Sequence, residues 1–252
     1  MKISAVIIAF NEESKIAEAI RSVEWADEIL FVDSESTDGT REIAASLGAR
    51  VLVHKWQGFS VQKQFATDRA ENDWIFSLDA DERVSDELIK EIADIRQLSR
   101  AMDGYRIPRL STYMGREIRH GGWYPDWQLR FFDRRKAHWK AVAIHESVEL
   151  VDDSRVGKLS GNLLHFSIDS AEQHAEMIQM RYAPLSAEAM HARGTITSPL
   201  KIAFAGPISF LTTYVFKAGF LDGLPGLCIA YFGAYNVFLK HLLLWQLQNK
   251  KN

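Results

Sequence analysis

"FSLDADERVS", residues 76–85, carries a strand and its exit within ten residues. Phe76, Leu78 and Ala80 alternate with Ser77, Asp79 and Asp81, and Glu82 and Arg83 follow. Alternation with a period of two marks a strand, and residues two apart on a strand face the same side. Asp79 and Asp81 therefore address one place beside the strand end. Like charges that close disfavour each other's ionised form unless something positive stands between them. Ser85 then reads as the N-cap of a helix, "DELIKEIADIRQL", with acids in its first turn.

The same grammar runs back to the N-terminus. "KISAVIIAF" (2–10) is a strand rich in β-branched residues, and "EESKIAEAIRSV" (12–23) has helical spacing at Ile16, Ala19, Ile20 and Val23. "EILFVDS" (28–34) is a second strand; "STDGT" turns into the helix "REIAASLG", which Gly48 stops. "ARVLVHK" (49–55) is a third strand, "SVQKQFATDRA" a third helix and "DWIFSLDA" a fourth strand. Alternating β and α units predict an α/β fold, a mostly parallel sheet with helices on both faces. Ligands of such sheets bind beyond the carboxyl ends of the strands. Asn11-Glu12, Asp33-Ser34 and Asp79-Ala80-Asp81 stand at those ends.

From 104 to 166 the pattern changes to short strand-like pieces between Gly- and aromatic-rich loops such as "MGREIRHGGWYPDWQ", and "AEQHAEMIQMRYAPLSAEAMHARG" after Ser170 reads as helix. The expected organisation is a catalytic domain over 1–195, with halves 1–103 and 104–195, and a separate segment over 196–252. The chain has 252 residues, 47% hydrophobic and 25% charged, with a net charge of −3, enough to bury a full core. Its single cysteine, Cys228, allows no disulfide within the chain and suits a reducing compartment. "MKISAVIIAFNEES" lacks the long apolar run and cleavage site of a signal peptide, so the expected location of the catalytic part is the cytoplasm.

Charge is unevenly spread. Residues 196–252 hold five lysines and one aspartate, net +4, which leaves −7 for the first 195; they also carry ten of the 28 aromatics. Residues 105–140 hold nine Arg or Lys against Glu117, Asp126 and Asp133, net +6, which suits an anionic acceptor or a diphosphate.

A divalent cation removes the repulsion of Asp79 and Asp81, and Mg²⁺ typically takes one or two carboxylates plus substrate phosphates. The other reading of an isolated D-x-D is a solvated acidic turn. Asp33 followed by "SESTDGT" suits a base or ribose, and Lys63 is placed to reach a phosphate. G-x-G-x-x-G, G-x-x-x-x-G-K-[ST] and G-x-S-x-G are absent. "HESVE" (145–149) has Glu149 where a zinc protease needs histidine. His54, His120, His138, His165, His174 and His191 have no metal-ligand spacing and are expected as surface or core residues.

"VIIAFNEE", "ILFVDSESTDGT" and "WIFSLDADE", in this order and spacing, resemble the family 2 glycosyltransferases of GT-A fold. "GGWYPDWQLRFFDRR" and "AVAIHESVE" resemble the lipopolysaccharide-core β-1,4-glucosyltransferase branch, the WaaE-like proteins. The resemblance covers nearly the whole chain. It implies a nucleotide-sugar donor, Mg²⁺ or Mn²⁺, and inversion at the anomeric carbon. Carried over by position, it gives Phe10, Glu12 and Lys63 to the nucleotide pocket, Asp33 to the base, Asp79 to the ribose and diphosphate, and Asp81 to the metal as principal ligand with Asp79 beside it.

Inversion by direct displacement needs a carboxylate to take the acceptor's proton. Asp126, in "YPDWQ", and Glu146, beside His145, are the candidates. Asp126 is preferred because "PDWQLRFFDR" resembles the "DFRL"-type motif of related polyprenyl-phosphate transferases. Gln128 and Arg130 are candidates for acceptor or diphosphate contacts, with a plain surface role as the alternative for Arg130.

"IAFAGPISFLTTYVF" (202–216) runs 15 residues without charge and "GLPGLCIAYFGAYNVFL" (223–239) runs 17. A spanning helix wants about 20. With Pro207, Pro225 and several glycines expected to break them, these segments suit an interfacial position at the inner face of the cell membrane, or packing on the core or another subunit. The expected acceptor is a lipid-linked or lipopolysaccharide glycan. Transfer to polyprenyl phosphate and an inactive adaptor of the same fold are the rivals. A sugar nucleotidyltransferase is disfavoured, since its Gly-rich, Arg-containing N-terminal loop is missing. No nucleic-acid partner is expected.

Overall fold

The computed structural model describes residues 1–98, 102–140, 147–151 and 155–250. They divide into two compact units: Met1–Arg109 with Asp126–His165, and Leu110–Pro125 with Phe166–Asn252.

The first unit begins with the expected alternation: β1 (Ile3–Ala9), α1 (Ile16–Arg21), β2 (Glu28–Asp33), α2 (Thr40–Ser46), β3 (Arg50–Val53), α3 (Phe59–Arg69) and β4 (Trp74–Asp79). β1 pairs in parallel with both β2 and β4, and β2 with β3. Every residue of β1 is buried, because helices cover both faces. Its side chains sort by period two. Ile3, Ala5 and Ile7 meet Ile16 and Ile20 of α1 with Phe76 and Leu78, while Val6 and Ile8 meet Leu30, Val32, Ala66 and Ile75 on the other side. α1 starts later than its spacing suggests, because residues 12–15 form a turn in which Lys15 and Ile16 both donate to the Glu12 carbonyl.

After β4 come β5 (Glu82–Val84), α4 (Asp86–Arg96), β6 (Gly104–Tyr113), β7 (Arg116–Glu117), β8 (Asp126–Asp133), β9 (Ala137–Trp139), β10 (Val148–Leu150), β11 (Val156–Lys158) and β12 (Leu163–Ile168). The main sheet runs β3-β2-β1-β4-β8-β6-β12-β5. β8 is antiparallel to both β4 and β6, so the sheet is mixed: parallel where crossover helices connect the strands, antiparallel beyond β4. Ser85 caps α4 as expected, its hydroxyl accepting from the Leu88 N–H at 3.3 Å. β5 was not legible as a strand. It is three residues long, follows the turn at Ala80-Asp81, and pairs antiparallel with β12.

In the second unit, α5 (Ala171–Met177), a π-helical turn (Ile178–Tyr182) and α6 (Ala183–Ala192) follow one another without a break, and Ser170 caps the start, accepting from the Gln173 N–H at 3.1 Å. Then come α7 (Pro199–Leu211), a second π-helical turn (Thr212–Phe216), a 3₁₀ turn (Gly219–Asp222) and α8 (Gly223–Asn249). The expected breaks do not occur. Pro207 lies inside α7, and Pro225 lies in the first turn of α8, where no N–H is needed. Helical segments Pro199–Phe216 and Gly219–Asn249, 18 and 31 residues, are long and apolar enough to cross a membrane. That corrects the expectation that both runs are too short: helix continues through Lys201 and Lys240, where the charge-free stretches stop.

α7 and α8 pack on each other, with the backbone so close at Gly206 that a Cβ there would stand 3.1 Å from the Ala234 carbonyl oxygen. α6 packs on α8 as well. Residues 166–192 therefore belong with the tail, and the division of the chain differs from the expected boundary at 195/196.

Candidate active site

At the carboxyl ends of β1 and β2 two loops are laced together. Asn11, at φ 54°, turns the chain off β1 in the left-handed region that asparagine tolerates. Its N–H donates to Ser36 Oγ (2.9 Å), and its side-chain oxygen accepts from the Thr37 N–H (2.8 Å). The Glu12 N–H donates to Thr40 Oγ1, and Gly39 donates to the Glu13 carboxylate, both at 2.8 Å. Phe10 stands exposed beside this lacing. Asp33 is fully buried; its Oδ2 accepts from the Ser36 N–H at 2.9 Å, and Arg41 stands 3.7 Å away. Asp33 Oδ1 has no partner among the described residues. A buried carboxylate oxygen left unpaired is costly, and it fits a ligand N–H.

At the end of β4 the two carboxylates of the opening motif part company. Asp79 is held by two buried cations, Lys63 Nζ at 2.8 Å and Arg130 Nη2 at 2.6 Å. Burial alone would push its carboxyl up; Arg130 and then Lys63 outweigh that and hold it far below the usual carboxylate range. Lys63, expected to reach a phosphate, spends its charge here, with the Trp139 ring 5.1 Å from its nitrogen. Arg130 is buried, which removes the surface reading. The ion chain continues: the fully buried Glu82 accepts from the Asp79 N–H (3.0 Å) and from Arg130 (3.3 Å) and Arg109 (3.4 Å). Arg109 in turn donates Nε (2.9 Å) and Nη2 (2.6 Å) to Asp126 Oδ2, and Gln128 donates to Asp126 Oδ1 at 2.7 Å. Lys63, Asp79, Arg130, Glu82, Arg109 and Asp126 thus alternate in sign from α3 to the first residue of β8.

Asp81 has a different partner, His165, whose Nε2 lies 3.3 Å from Asp81 Oδ2. β12 delivers it, since His165 pairs with Glu82 in the ladder with β5. Burial pushes the nearby Glu12 carboxyl up, and the charge of Asp81 adds to that against Lys15. Asp79 is thus paired with cations of the protein, and the residue beside Asp81 is an imidazole. A carboxylate with an imidazole can contribute to the coordination of a divalent transition ion such as Mn²⁺. Among the described residues no cluster of three such ligands exists, so the remaining positions would fall to substrate oxygens and water.

Of the candidate bases, Asp126 is partly exposed and held by Arg109 and Gln128, so Gln128 serves Asp126 rather than standing free for an acceptor. Glu146, with His145, lies outside the described residues. The basic run 105–140 is largely balanced within the protein: Arg134 and Arg135 meet Asp73, Arg135 also meets Asp133, and Lys136 meets Asp103. Arg106, Trp127, Arg130, Trp139 and Lys140 are among the residues that line a cleft of about 610 Å³, where the half-buried Trp127 is the more accessible of the two rings and Arg106 is exposed. His165 and Arg109 are the site residues that sequence reasoning missed. Neither has a local signal, since each reaches the site through pairing of distant strands.

Residues 4–148 match the family model described as glycosyl transferase family 2. The lipopolysaccharide core biosynthesis glycosyltransferase LpsC of Rhizobium meliloti is 29% identical over 257 residues, covering 96% of this chain and 94% of its own. An uncharacterized glycosyltransferase of Rickettsia typhi is 34% identical over 260 residues, covering 99% and 88%. Among solved structures, S. aureus TarS 1–349 in complex with UDP-GlcNAc aligns with a TM-score of 0.49 at 13% identity, covering 100% of this chain and 93% of that one.

Proposed function

The chain belongs to glycosyl transferase family 2, and on that premise we propose that it moves a hexose, glucose from UDP-glucose, with inversion onto an envelope glycan acceptor such as lipopolysaccharide core. The observation that carries this reading is what stands at the ends of the two parallel strands that flank β1: the unpartnered buried Oδ1 of Asp33 at the end of β2 and the Asp81–His165 pair after β4. The first suits the imide N–H of a pyrimidine base, the second a divalent cation. The acceptor class is supported by the R. meliloti relative, named for lipopolysaccharide core biosynthesis and aligned along nearly the whole chain.

In this reading Asp33 accepts from the base, and Phe10 and Glu12 border the nucleotide. Lys63 and Arg130 keep Asp79 ionised and fixed at the strand end, where it accepts from the donor ribose. Asp81 and His165 would hold Mn²⁺ or Mg²⁺, which when bound would supply Lewis-acid stabilisation of the leaving diphosphate. Asp126 takes the acceptor hydroxyl's proton through Oδ1, exchanging the Gln128 contact for the acceptor, while Arg109 keeps Oδ2 in place. The acceptor enters by the Trp127–Trp139 cleft. The protein works on the cytoplasmic side, at the inner face of the cell membrane, where such acceptors are assembled.

Thermal shift with UDP-glucose and with GDP-, dTDP- and CMP-sugars, each with Mn²⁺ or EDTA, tests the donor half. A shift with the UDP sugar that needs Mn²⁺ and vanishes in Asp81→Asn is expected; a shift indifferent to metal would remove the cation from the scheme. Asp33→Asn is expected to weaken donor binding 10- to 100-fold, about the worth of one hydrogen bond to a charged group. The two long apolar segments favour polyprenyl phosphate as a second acceptor class. A sugar–lipid product that mild acid releases as free sugar would select it over a glycoside.

A further inference from the structure

The second unit sorts its surface by helix. Both the α5–α6 segment and α7 pack on α8. The exposed side chains of α5–α6 include the charged Glu172, Glu176, Arg181, Glu188 and Arg193, with Met180, Tyr182 and Leu185 as the large apolar ones among them. α7 and its continuation expose Leu200, Phe204, Ile208, Leu211 and Val215. Steps of four, four, three and four residues keep these within an arc of about 80° at 100° per residue. α8 exposes Leu224, Tyr231, Phe238 and Trp245, every seventh residue. A groove of about 570 Å³ joins the two stripes, lined by Pro207, Phe210 and Leu211 from α7 and by Tyr231, Tyr235 and Phe238 from α8.

Length and hydropathy alone would let both helices cross a bilayer. Their company argues otherwise. α8 cannot enter hydrocarbon across its width without taking α6 along, and Arg181 and Glu188 with it, which a bilayer core strongly disfavours. The turn between α7 and α8 is also engaged. Asp222 accepts from the N–H groups of Arg119 (3.3 Å) and His120 (2.9 Å) and meets His120 Nδ1 at 2.8 Å, while the Gly121 N–H donates to the Lys217 carbonyl at 2.9 Å. Cations flank the apolar face. Lys201 lies beside the α7 stripe, Lys217 follows its end and Lys250 follows α8, all exposed. From residue 196 on, Asp222 is the sole acid in the sequence, and its carboxylate is already hydrogen-bonded within the unit.

We propose that α7 and α8 dock side-on into one leaflet of an anionic bilayer, with the two stripes and the groove at the headgroup–acyl boundary and α5–α6 facing water. The occupant is a leaflet because the face is apolar and aromatic at its centre and cationic at its ends, the pattern of helices that lie in the interface plane. The proposal rests on the functional reading only in taking the inner leaflet of the cell membrane as the surface. A catalytic unit tethered there meets a lipid-borne acceptor at a high effective concentration.

The test is flotation of the full chain with vesicles of phosphatidylcholine alone and with a quarter phosphatidylglycerol, followed by extraction at pH 11. Wild type is expected to float with the anionic vesicles, less with the neutral ones, and to come off at pH 11. Ile208→Glu with Leu211→Glu is expected to lower the bound fraction at least tenfold while far-UV circular dichroism stays unchanged. Lys201→Ala with Lys217→Ala is expected to reduce binding to anionic vesicles alone. Resistance to pH 11 would mean spanning helices. No flotation, or a lipid-free dimer that the Ile208/Leu211 variant dissociates, would assign the face to protein; any of these overturns the proposal. Donor binding, read separately by thermal shift, can fail while flotation holds, which would sink the functional reading and leave this one standing.

Discussion

The strand ends of the first unit and the helices of the second break the ordinary rule of burial in opposite ways. The first unit buries charge: Lys63, Glu82 and Arg130 are almost inaccessible, and each meets an opposite charge. The second exposes apolar surface along α7 and α8. Buried charge survives folding only when paired, and exposed apolar stripes of this extent mark contact surfaces. In each unit, then, what the protein itself leaves unsatisfied points to a ligand: one carboxylate oxygen on Asp33 in the first, a whole helix face in the second. The difference teaches where selection acts. One site is read atom by atom, the other by area.

Glu82→Ala is the hardest blow to the first pattern. It removes the carboxylate between Arg130 and Arg109 and leaves both guanidiniums short of charge, at a cost of about 3–5 kcal/mol. At roughly 2–4 °C per kcal/mol for a chain of this size, the melting temperature is expected to fall by roughly 6–20 °C. A drop of 2 °C or less would mean that the chain of ions is not a structural unit. The second unit has its own buried polar group. His174 of α5 meets Tyr113 Oη at 3.1 Å and packs on Phe232, and burial lowers its pKa to about 4. The folded state thus holds a neutral imidazole where the unfolded chain would bind a proton below about 6.5. Stability is full above that pH and is lost as pH falls toward 4, by at most about 3 kcal/mol. Chemical denaturation at pH 7 and pH 4.5 should show a smaller acid loss in His174→Phe than in wild type; equal losses would place the acid sensitivity elsewhere.

The parallel half of the sheet was legible because each strand and helix there carries its own period, and Ser85 was legible as the cap of the helix that follows it. Legibility stopped where structure depends on partners far away in the chain. β5 is a short charged strand with no period to read, and only its pairing with β12 brings His165 to Asp81. For the same reason nothing local to Asp79 says that Arg130, on β8, will pair with it. The tail failed differently. Pro207 reads as a helix breaker, yet α7 passes through it, because packing on α8 stabilises the helix on both sides.

Two smaller effects sharpen the contrast. Ser85→Ala removes the hydroxyl that caps α4 and also accepts from the Asn162 N–H at 3.1 Å; about 1 kcal/mol of stability is expected to go, read as a shift in denaturation midpoint at constant slope. Ile208→Ser is expected to do less still. With 60% of its surface exposed, Ile208 contributes little to folding, and a surface substitution of this kind stays within about 0.5 kcal/mol. Ile7, fully buried in β1, provides the reference: Ile7→Ala should cost about 2–5 kcal/mol. If Ile208→Ser proved as destabilising as a core change, the α7 stripe would be packed in solution, and the second unit would be an ordinary helical core. A stripe that is silent in folding and decisive in vesicle binding is what separates a surface held for a partner from one needed for the fold.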